Sequence, residues 1–597
     1  MLNLITLEEP TAGLNNTDPS YEIQDNQAQK LENFRLGLHS IETIRPSNLP
    51  YGFDEPSRGG KIVDDVLIYR PRVGDPYIMF AYNGKVYKTQ NVYQPPETIN
   101  YNGTIGARIR LLQFNDYVYI FNGVDANKKF DGTNVFDFGI DAPMIAPVKL
   151  AGTGTEARTY YYTWYNERDK TESNPSPALV TTGNTNMSIR VRGSADAQVT
   201  HVRLYRTGLG ITVPRLCKEV ANTGGGNITI ADDSSNPDVA RAQRVSLDND
   251  KPPILADGMF HNNRLFAWGG KTDDGKDNLD TLWVSNEYKP QYMPRVPFID
   301  QTEAATGGPI EINPGDGGRI TQFVAWGGAG ICFKENFAYR IQETEVGFYT
   351  YQSMNIPGCI GRNTAQLTPW GLIWLSPDGV MQLDFNEQVT FIGEPVQYST
   401  RRIIGDDRVT AIYVDGLYIL SYEEVVTNEW KTLFYGVQGG WQGPHSLSYS
   451  CYYIDRDGKL YGGTPGYVSI VGIVETRFHI RGRHPDYEVY DKAIPLAYQT
   501  KAFEFTPGRY SRIRYVNVIG RSIPRDNNPP NLTLNIYDEQ QKLLSSTVFK
   551  YPYDGNVQVG IDSSAQGQFL SLEIKGESHR PISISKLQVA VEQGATI

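Results

Sequence analysis

The sequence predicts an all-β protein, a β-propeller that carries one inserted β-sandwich and is followed by another. Three observations predict it. Aromatic residues make up 12% of the 597, with 38 Tyr, while 58 Gly and 36 Pro supply punctuation. Tyr, Phe and Trp favour strands, and Gly and Pro end them. Short alternating runs joined at Asn-Gly or Asp-Gly recur every few tens of residues. A helical period is absent except in NQAQKLENF (26–34), read as a short helix. The chain is too long for one core, so three or more domains are expected.

The hairpins follow in order. FAYNGKVYK (80–88) turns at Asn83-Gly84, a pair that tolerates the positive φ of a tight turn. LLQFNDYVYIFNG (111–123) turns at Asn115-Asp116, and KKFDGTNVFDFG (128–139) at Asp131-Gly132. GMFHNNRLFAWGG (258–270) and LWVS (282–285) come next. FVAWGGAGICFKENFAYRIQ (323–342) contains two turns, at Gly327-Gly328 and Glu335-Asn336. GLIWLSPDGVMQLDF (371–385), VTAIYVDGLYILSY (409–422) and CYYIDRDGKLYGG (451–463) turn at Gly379, Gly416 and Gly458, each preceded by Asp. A two-stranded unit has one face to bury and is not stable alone. Stacking such units radially buries the faces and protects the edges, which gives a propeller. A large sandwich is the competing architecture. Short meanders separated by irregular loops favour the propeller, with five to seven blades.

The texture changes twice. From 148 to 245, EARTYYYTWYNERDKTESNPSPALV, SIRVRGS, THVRLYRTG and NITIADD read as strands with polar turns over the length of a small sandwich. The strand ending at Glu172-Ser173-Asn174-Pro175-Ser176-Pro177 resembles a fibronectin type III module. From 485, runs such as SRIRYVNVIGRS and LTLNIYDEQQKLLSSTVF, with an Arg525–Pro530 turn, read as a second sandwich. The expected organisation is therefore 1–50, N-terminal arm and first propeller strands; 51–147, propeller; 148–245, inserted sandwich; 246–484, propeller; 485–597, C-terminal sandwich.

Composition narrows the function. The net charge of −11 argues against a protein that grips nucleic acid, which needs a basic surface, but allows one that lets nucleic acid slide past. Cys217, Cys332, Cys359 and Cys451 form no CxxC pair, so they read as buried reduced thiols. No stretch of 18 apolar residues predicts a membrane span. MLNLITLEEPTAGLNNTD has neither a basic n-region nor an apolar h-region and does not read as a signal peptide.

Chemistry-bearing candidates are few. The seven histidines are His39, His201, His261, His445, His479, His484 and His579, and they show no HExxH. His479 and His484 are the closest pair and read as a loop or subunit contact. Gly152-Thr153-Gly154-Thr155 lacks the rest of a phosphate loop. Asp273–Asp280 looks faintly like a calcium loop without the twelfth-position Glu, so a polar turn is the favoured reading. Neither a cofactor nor a metal is expected, and no catalytic residue is singled out. Propellers also host glycan hydrolases, which need two carboxylates ~5–10 Å apart. Neither a paired motif nor an Asp-box repeat is present. A propeller-based glycan hydrolase or a glycan-binding receptor-recognition protein is the alternative.

Three passages carry a family resemblance. AGLNNTDPSYEIQDNQAQKLENFRL (12–36), RLFAWGG with TLWVSNEYKPQYMP, and INPGDGGRITQFVAWGGAGICFKENFAYRIQ (312–342) resemble the tail nozzle or hub proteins of short-tailed bacteriophages. These are also called tail tubular protein B or packaged-DNA stabilisation proteins. The resemblance implies a structural, non-enzymatic virion protein of the viral tail, assembled in the bacterial host cytoplasm. It implies a ring of six copies below a portal-proximal adaptor. That ring would contact tail fibres or spikes and a plug or needle, and would retain double-stranded DNA before conducting it outward. The channel-lining residues are not read from the sequence. Arg401-Arg402 and Arg477, Arg481 and Arg483 are candidate guides for the duplex, against a plainer reading as surface or interface arginines.

Overall fold

Asp-Gly and Asn-Gly pairs turn alternating runs back on themselves. At Asp415-Gly416, φ is +49° and +79°, the left-handed pair a two-residue hairpin requires. Gly379 and Gly458 have φ of +128° and +76°. In the computed structural model, the described residues are 2–37, 40–44, 49–52, 62–90, 96–295, 307–316, 318–343, 349–403, 408–447, 449–464, 467–471, 493–522, 530–551, 554–562, 564–578 and 582–596. Strand takes 57% of the structure and helix 3%.

The fold is an all-β propeller with an inserted fibronectin III-like sandwich and a C-terminal sandwich. Seven four-stranded antiparallel sheets are described, here numbered as blades in chain order. Blades one to four cover 63–102, 110–137, 257–311 and 320–357, and blades five and six cover 366–391 and 409–445. Blade seven joins 451–471 to Leu49–Gly52, which pairs with Tyr467–Val471 from the far end of the sequence.

The chain divides into two compact units. Unit 2 (68–90 and 96–355) holds blades one to four, apart from residues 63–67 of blade one and 356–357 of blade four, and the insertion. The insertion stacks a three-stranded sheet, Val148–Thr153, Thr185–Arg192 and Asn227–Asp232, on a five-stranded one centred on Ala157–Asn166 and His201–Gly208. Tyr160, Tyr162, Ile189, Leu204 and Ile230 fill the space between them.

Unit 1 (1–67, 91–95 and 356–597) holds blades five to seven and the C-terminal sandwich. The N-terminal arm, expected to lead into propeller strands, first gives four strands to this sandwich. Leu2–Leu7 and Ile41–Thr43 pair with Ile582–Thr596, Phe34–Leu36 pairs with Ile41–Thr43, and Ala28–Glu32 pairs with Ile494–Thr500. The expected helix at 26–34 is therefore strand. Leu14, Ala28, Leu31 and Phe34 of the arm lie in one continuous apolar cluster with Tyr418 and Trp441 of blade six and Val516 and Leu572 of the sandwich.

Candidate functional site at two junctions

The sandwich of unit 1 is locked to its blades by the arm. Asn33 sits between two arm strands at φ +57°, a left-handed conformation Asn tolerates. Its N–H donates to His445 Nδ1 (3.1 Å), and its amide nitrogen donates to Ser446 Oγ (3.1 Å) and to the Pro495 carbonyl (2.7 Å). Asn33 Oδ1 accepts from the Ser446 N–H (2.9 Å). One buried side chain thus ties blade six to the sandwich. His445 is fully buried against Phe434, with ring centroids 4.5 Å apart. Burial pushes the imidazole down to about 3, so it is neutral, and accepting at Nδ1 puts its proton on Nε2.

The arm docks a second time at Gly13–Asn16. The Leu14 N–H donates to the Trp441 carbonyl (2.6 Å), and the Asn16 N–H to the Pro395 carbonyl (2.9 Å). Asn16 Nδ2 donates to Ser399 Oγ (2.9 Å). Gly13 has φ +80°, and a Cβ there would lie 2.4 Å from the Trp441 carbonyl oxygen. Only glycine allows this approach.

The junction in unit 2 is built from charge. The insertion's Asn166–Lys170 turn meets blade two, where buried Lys129 donates to Asp169 (2.6 Å) and to Gln291 (3.4 Å). The Lys129 ammonium lies 4.9 Å from the Tyr117 ring centroid, and the Tyr117 hydroxyl donates to Asp169. Burial, and then this bond to Asp169, pushes the Tyr117 phenol well up. Arg168 pairs with Asp131. Burial alone would raise the Asp131 carboxyl, but the N–H groups of Asn134 and Thr133, with Arg168, outweigh it and hold it below the usual range.

Nearby, the Glu172 N–H donates to the Tyr292 hydroxyl. The Glu172 carboxylate accepts from Tyr205 (2.6 Å) and Arg203 (2.9 Å). The Glu172–Pro177 turn earns its residues: Ser173 Oγ accepts from the Trp164 N–H (3.0 Å) and Ser176 Oγ from the Tyr162 N–H (3.1 Å).

The cation-loop candidate is divided among separate partners. Asp273 pairs with Arg295, Asp274 with Lys276, and Asp277 with Lys271. Asp280 accepts from Lys334 (2.7 Å). Lys334 is buried and also meets Asp316 and the carbonyls of Ile312 (3.2 Å) and Asn313 (3.3 Å). The ammonium thus occupies the oxygen cage that the Gly315-Asp316 turn forms. Among the described residues, no group of three or more His, Cys, Asp or Glu could hold a metal ion.

Of the duplex-guide arginines, Arg402 pairs with Glu424 (3.2 Å) and stacks on Tyr398 (3.9 Å to the centroid). Arg401 is exposed. Arg477, Arg481 and Arg483 lie outside the described residues, as do His39, His479, His484, His579 and most of the Arg525–Pro530 turn. The four cysteines are buried free thiols. Gly152 and Thr153 end an insertion strand. His201 Nδ1 contacts Thr200 (3.0 Å), and the His261 ring packs near Phe266 and Phe323. Sequence reasoning did not single out Asn33, Lys129 or Lys334. For Asn33 a signal was present, an Asn between two short apolar-polar runs, QKLE and FRL.

No protein-family model matches the chain, and no curated protein matches it. Among solved structures, it is similar to BamB from Moraxella catarrhalis, at TM-score 0.31 and 9% identity, over 68% of this chain and 96% of that one. It is also similar to an exo-β-1,3-galactanase from Phanerochaete chrysosporium with galactose, at TM-score 0.21 and 11% identity, over 56% of this chain and 94% of that one. A computationally designed protein, Ika8, aligns at TM-score 0.22 and 5% identity, over 70% of this chain and 97% of that one. At these scores the likenesses bear on neither function nor partners.

Proposed function

We propose that this chain is the nozzle or hub protein of a short viral tail. Six copies surround a channel that holds packaged double-stranded DNA and conducts it during ejection. The ring meets a portal-proximal adaptor on one side, and tail fibres or spikes and a plug or needle on the other. The supporting observation is that the residues carrying the family resemblance do mechanical work. Gly13, Leu14, Asn16 and Asn33 of the 12–36 passage fasten blades five and six to the sandwich. Asp316 and Lys334 of the 312–342 passage brace the turn before blade four.

A conduit gains from such bracing and from weak attraction to its cargo, because each phosphate contact slows passage. The net charge of −11 suits that need. Retention then depends on a gate or plug rather than on DNA affinity. Electron microscopy of the purified protein should show six-fold rings with an open centre, and duplex DNA should bind poorly even at low salt. Submicromolar, salt-sensitive DNA binding would contradict the conduit. Release of sugar from host capsule or lipopolysaccharide, lost on a single Asp or Glu substitution, would replace it with the glycan-hydrolase reading.

A further inference from the structure

Two exposed surfaces of this chain are opposite in charge and share apolar character. The first is the outer face of the insertion's three-stranded sheet. Cross-strand neighbours share a face, and the register aligns Val148, Arg190 and Thr229 in one row and Arg192 with Asn227 in another. All five are exposed. The face bears two guanidinium groups and no carboxylate, and neither arginine has an ion-pair partner among the described residues. Residues 148–245 hold 12 Lys and Arg against 9 Asp and Glu, a net +3; with −11 for the whole chain, the remainder is −14.

The second surface is blade five. From 363 to 400 the chain has Asp378, Asp384, Glu387 and Glu394 and no Lys or Arg; Arg362 and the exposed Arg401 flank this span, and Arg402 is paired with Glu424. Asp378 and Glu394 are exposed. The last strand of the sheet, Val389–Phe391, is exposed at every residue, with Val389 at 38% and Phe391 at 37%. An open, apolar edge strand is a template for association unless something covers it.

We infer that the Arg190–Arg192 face of one copy docks on the blade-five edge of the next copy. Arg190 and Arg192 meet the carboxylates around Asp378 and Glu394, while Val148 covers the apolar edge strand. Two different patches on each copy make a heterologous contact, which generates a closed ring when the rotation per copy closes. This inference rests on the ring reading above. It adds which surfaces form the ring, and it assigns the insertion the role of intersubunit clamp.

The test is a charge swap on the full chain, read by native mass spectrometry at physiological salt. Arg190→Glu with Arg192→Glu turns attraction into repulsion. It should shift the concentration of half-assembly upward by about tenfold or more, given the modest worth of each exposed pair. Adding Asp378→Lys with Glu394→Lys should restore assembly toward wild type. Both pairs are exposed, so an unchanged far-UV circular dichroism spectrum confirms that the variants fold. Wild-type rings unaffected by the first pair of changes would overturn the clamp and leave the ring reading standing. A dispersed first variant that the second pair does not rescue would also overturn it. So would loss of heparin or duplex DNA binding in that first variant, because the face would then serve an anionic polymer. A monomeric wild type would overturn both readings.

Discussion

The two junctions solve one problem with different chemistry. In unit 1 a sandwich is fastened to blades by neutral hydrogen bonds around Asn33 and a buried neutral His445. In unit 2 a sandwich is fastened to a blade by a buried Lys129–Asp169 pair under Tyr117, with Arg168–Asp131 at its rim. The Asn33 junction has no buried ion pair, only the half-buried Glu32 carboxylate that accepts from Ser446 Oγ (3.2 Å), but it requires an imidazole to stay unprotonated. At the charged junction Asp131 is held below the usual carboxylate range, yet removal of either Lys129 or Asp169 leaves a buried ion. Two attachments in one chain therefore fail under different stresses.

The largest expected effect falls on the charged side. Lys129→Met strands Asp169 and should cost about 3–5 kcal/mol at that junction. Hydrogen exchange should rise at Thr171 and Glu172, while the amides of Leu36 and Ile44 stay protected. Adding Asp169→Leu should recover part of the loss, because it removes the unpaired carboxylate, while the Tyr117 hydroxyl and the Asn166 amide lose their acceptor. Uniform loss of protection in both units would show that the junctions are not separable.

Asn33→Ala is the matching cut in the neutral junction. It removes the Asn33 bonds to the Ser446 N–H and hydroxyl and to the Pro495 carbonyl and should cost about 2–3 kcal/mol. Exchange should rise at Leu36, Ile44 and Ser446 and not in the insertion.

Acid should separate the junctions without mutation. The unfolded chain's His445 titrates near 6.5, whereas the folded one is held at about 3. Below 6.5 the unfolded state takes up a proton that the folded state refuses, so this contribution is complete above 6.5 and falls as pH drops. Between pH 6.5 and about 5 the loss should reach about 2 kcal/mol. Asp131 is held below 3.8, so its contribution is complete above that value and is lost only as pH falls further. Unit 1 should therefore loosen first. His445→Phe should flatten the pH dependence, and an unchanged profile in that variant would remove His445 from the account.

The smallest effect is a control away from both junctions. A Cβ on Gly416 would meet nothing within 4 Å, so Gly416→Val should add only backbone strain, about 1–2 kcal/mol. Gly13→Ala, with its clash against Trp441, should disturb the unit 1 junction far more.

Local features of this fold were legible and distant ones were not. Asn83-Gly84, Asp415-Gly416 and Asp457-Gly458 announce their hairpins, because two residues decide the turn. The strand at 28–32 escaped because a register shift between Ala28 and Lys30 turns both Ala28 and Leu31 inward. That spacing of three imitates a helix. Pairing of the arm with strands some 470 to 590 residues away leaves no local mark. The buried charges were illegible for the same reason: Lys129 and Lys334 look like surface lysines until Asp169 and Asp316 are brought beside them. The turn Glu172–Pro177 was legible as a pattern, but not as the point where the insertion is fastened to the propeller.

Whether six copies close into a ring is decided by the mass of the assembly. Native mass spectrometry of the 597-residue chain should give a dominant species at six times 66.9 kDa, about 400 kDa, stable on dilution at physiological salt. A particle that remains at 66.9 kDa at every concentration, or closes as a trimer, would contradict it.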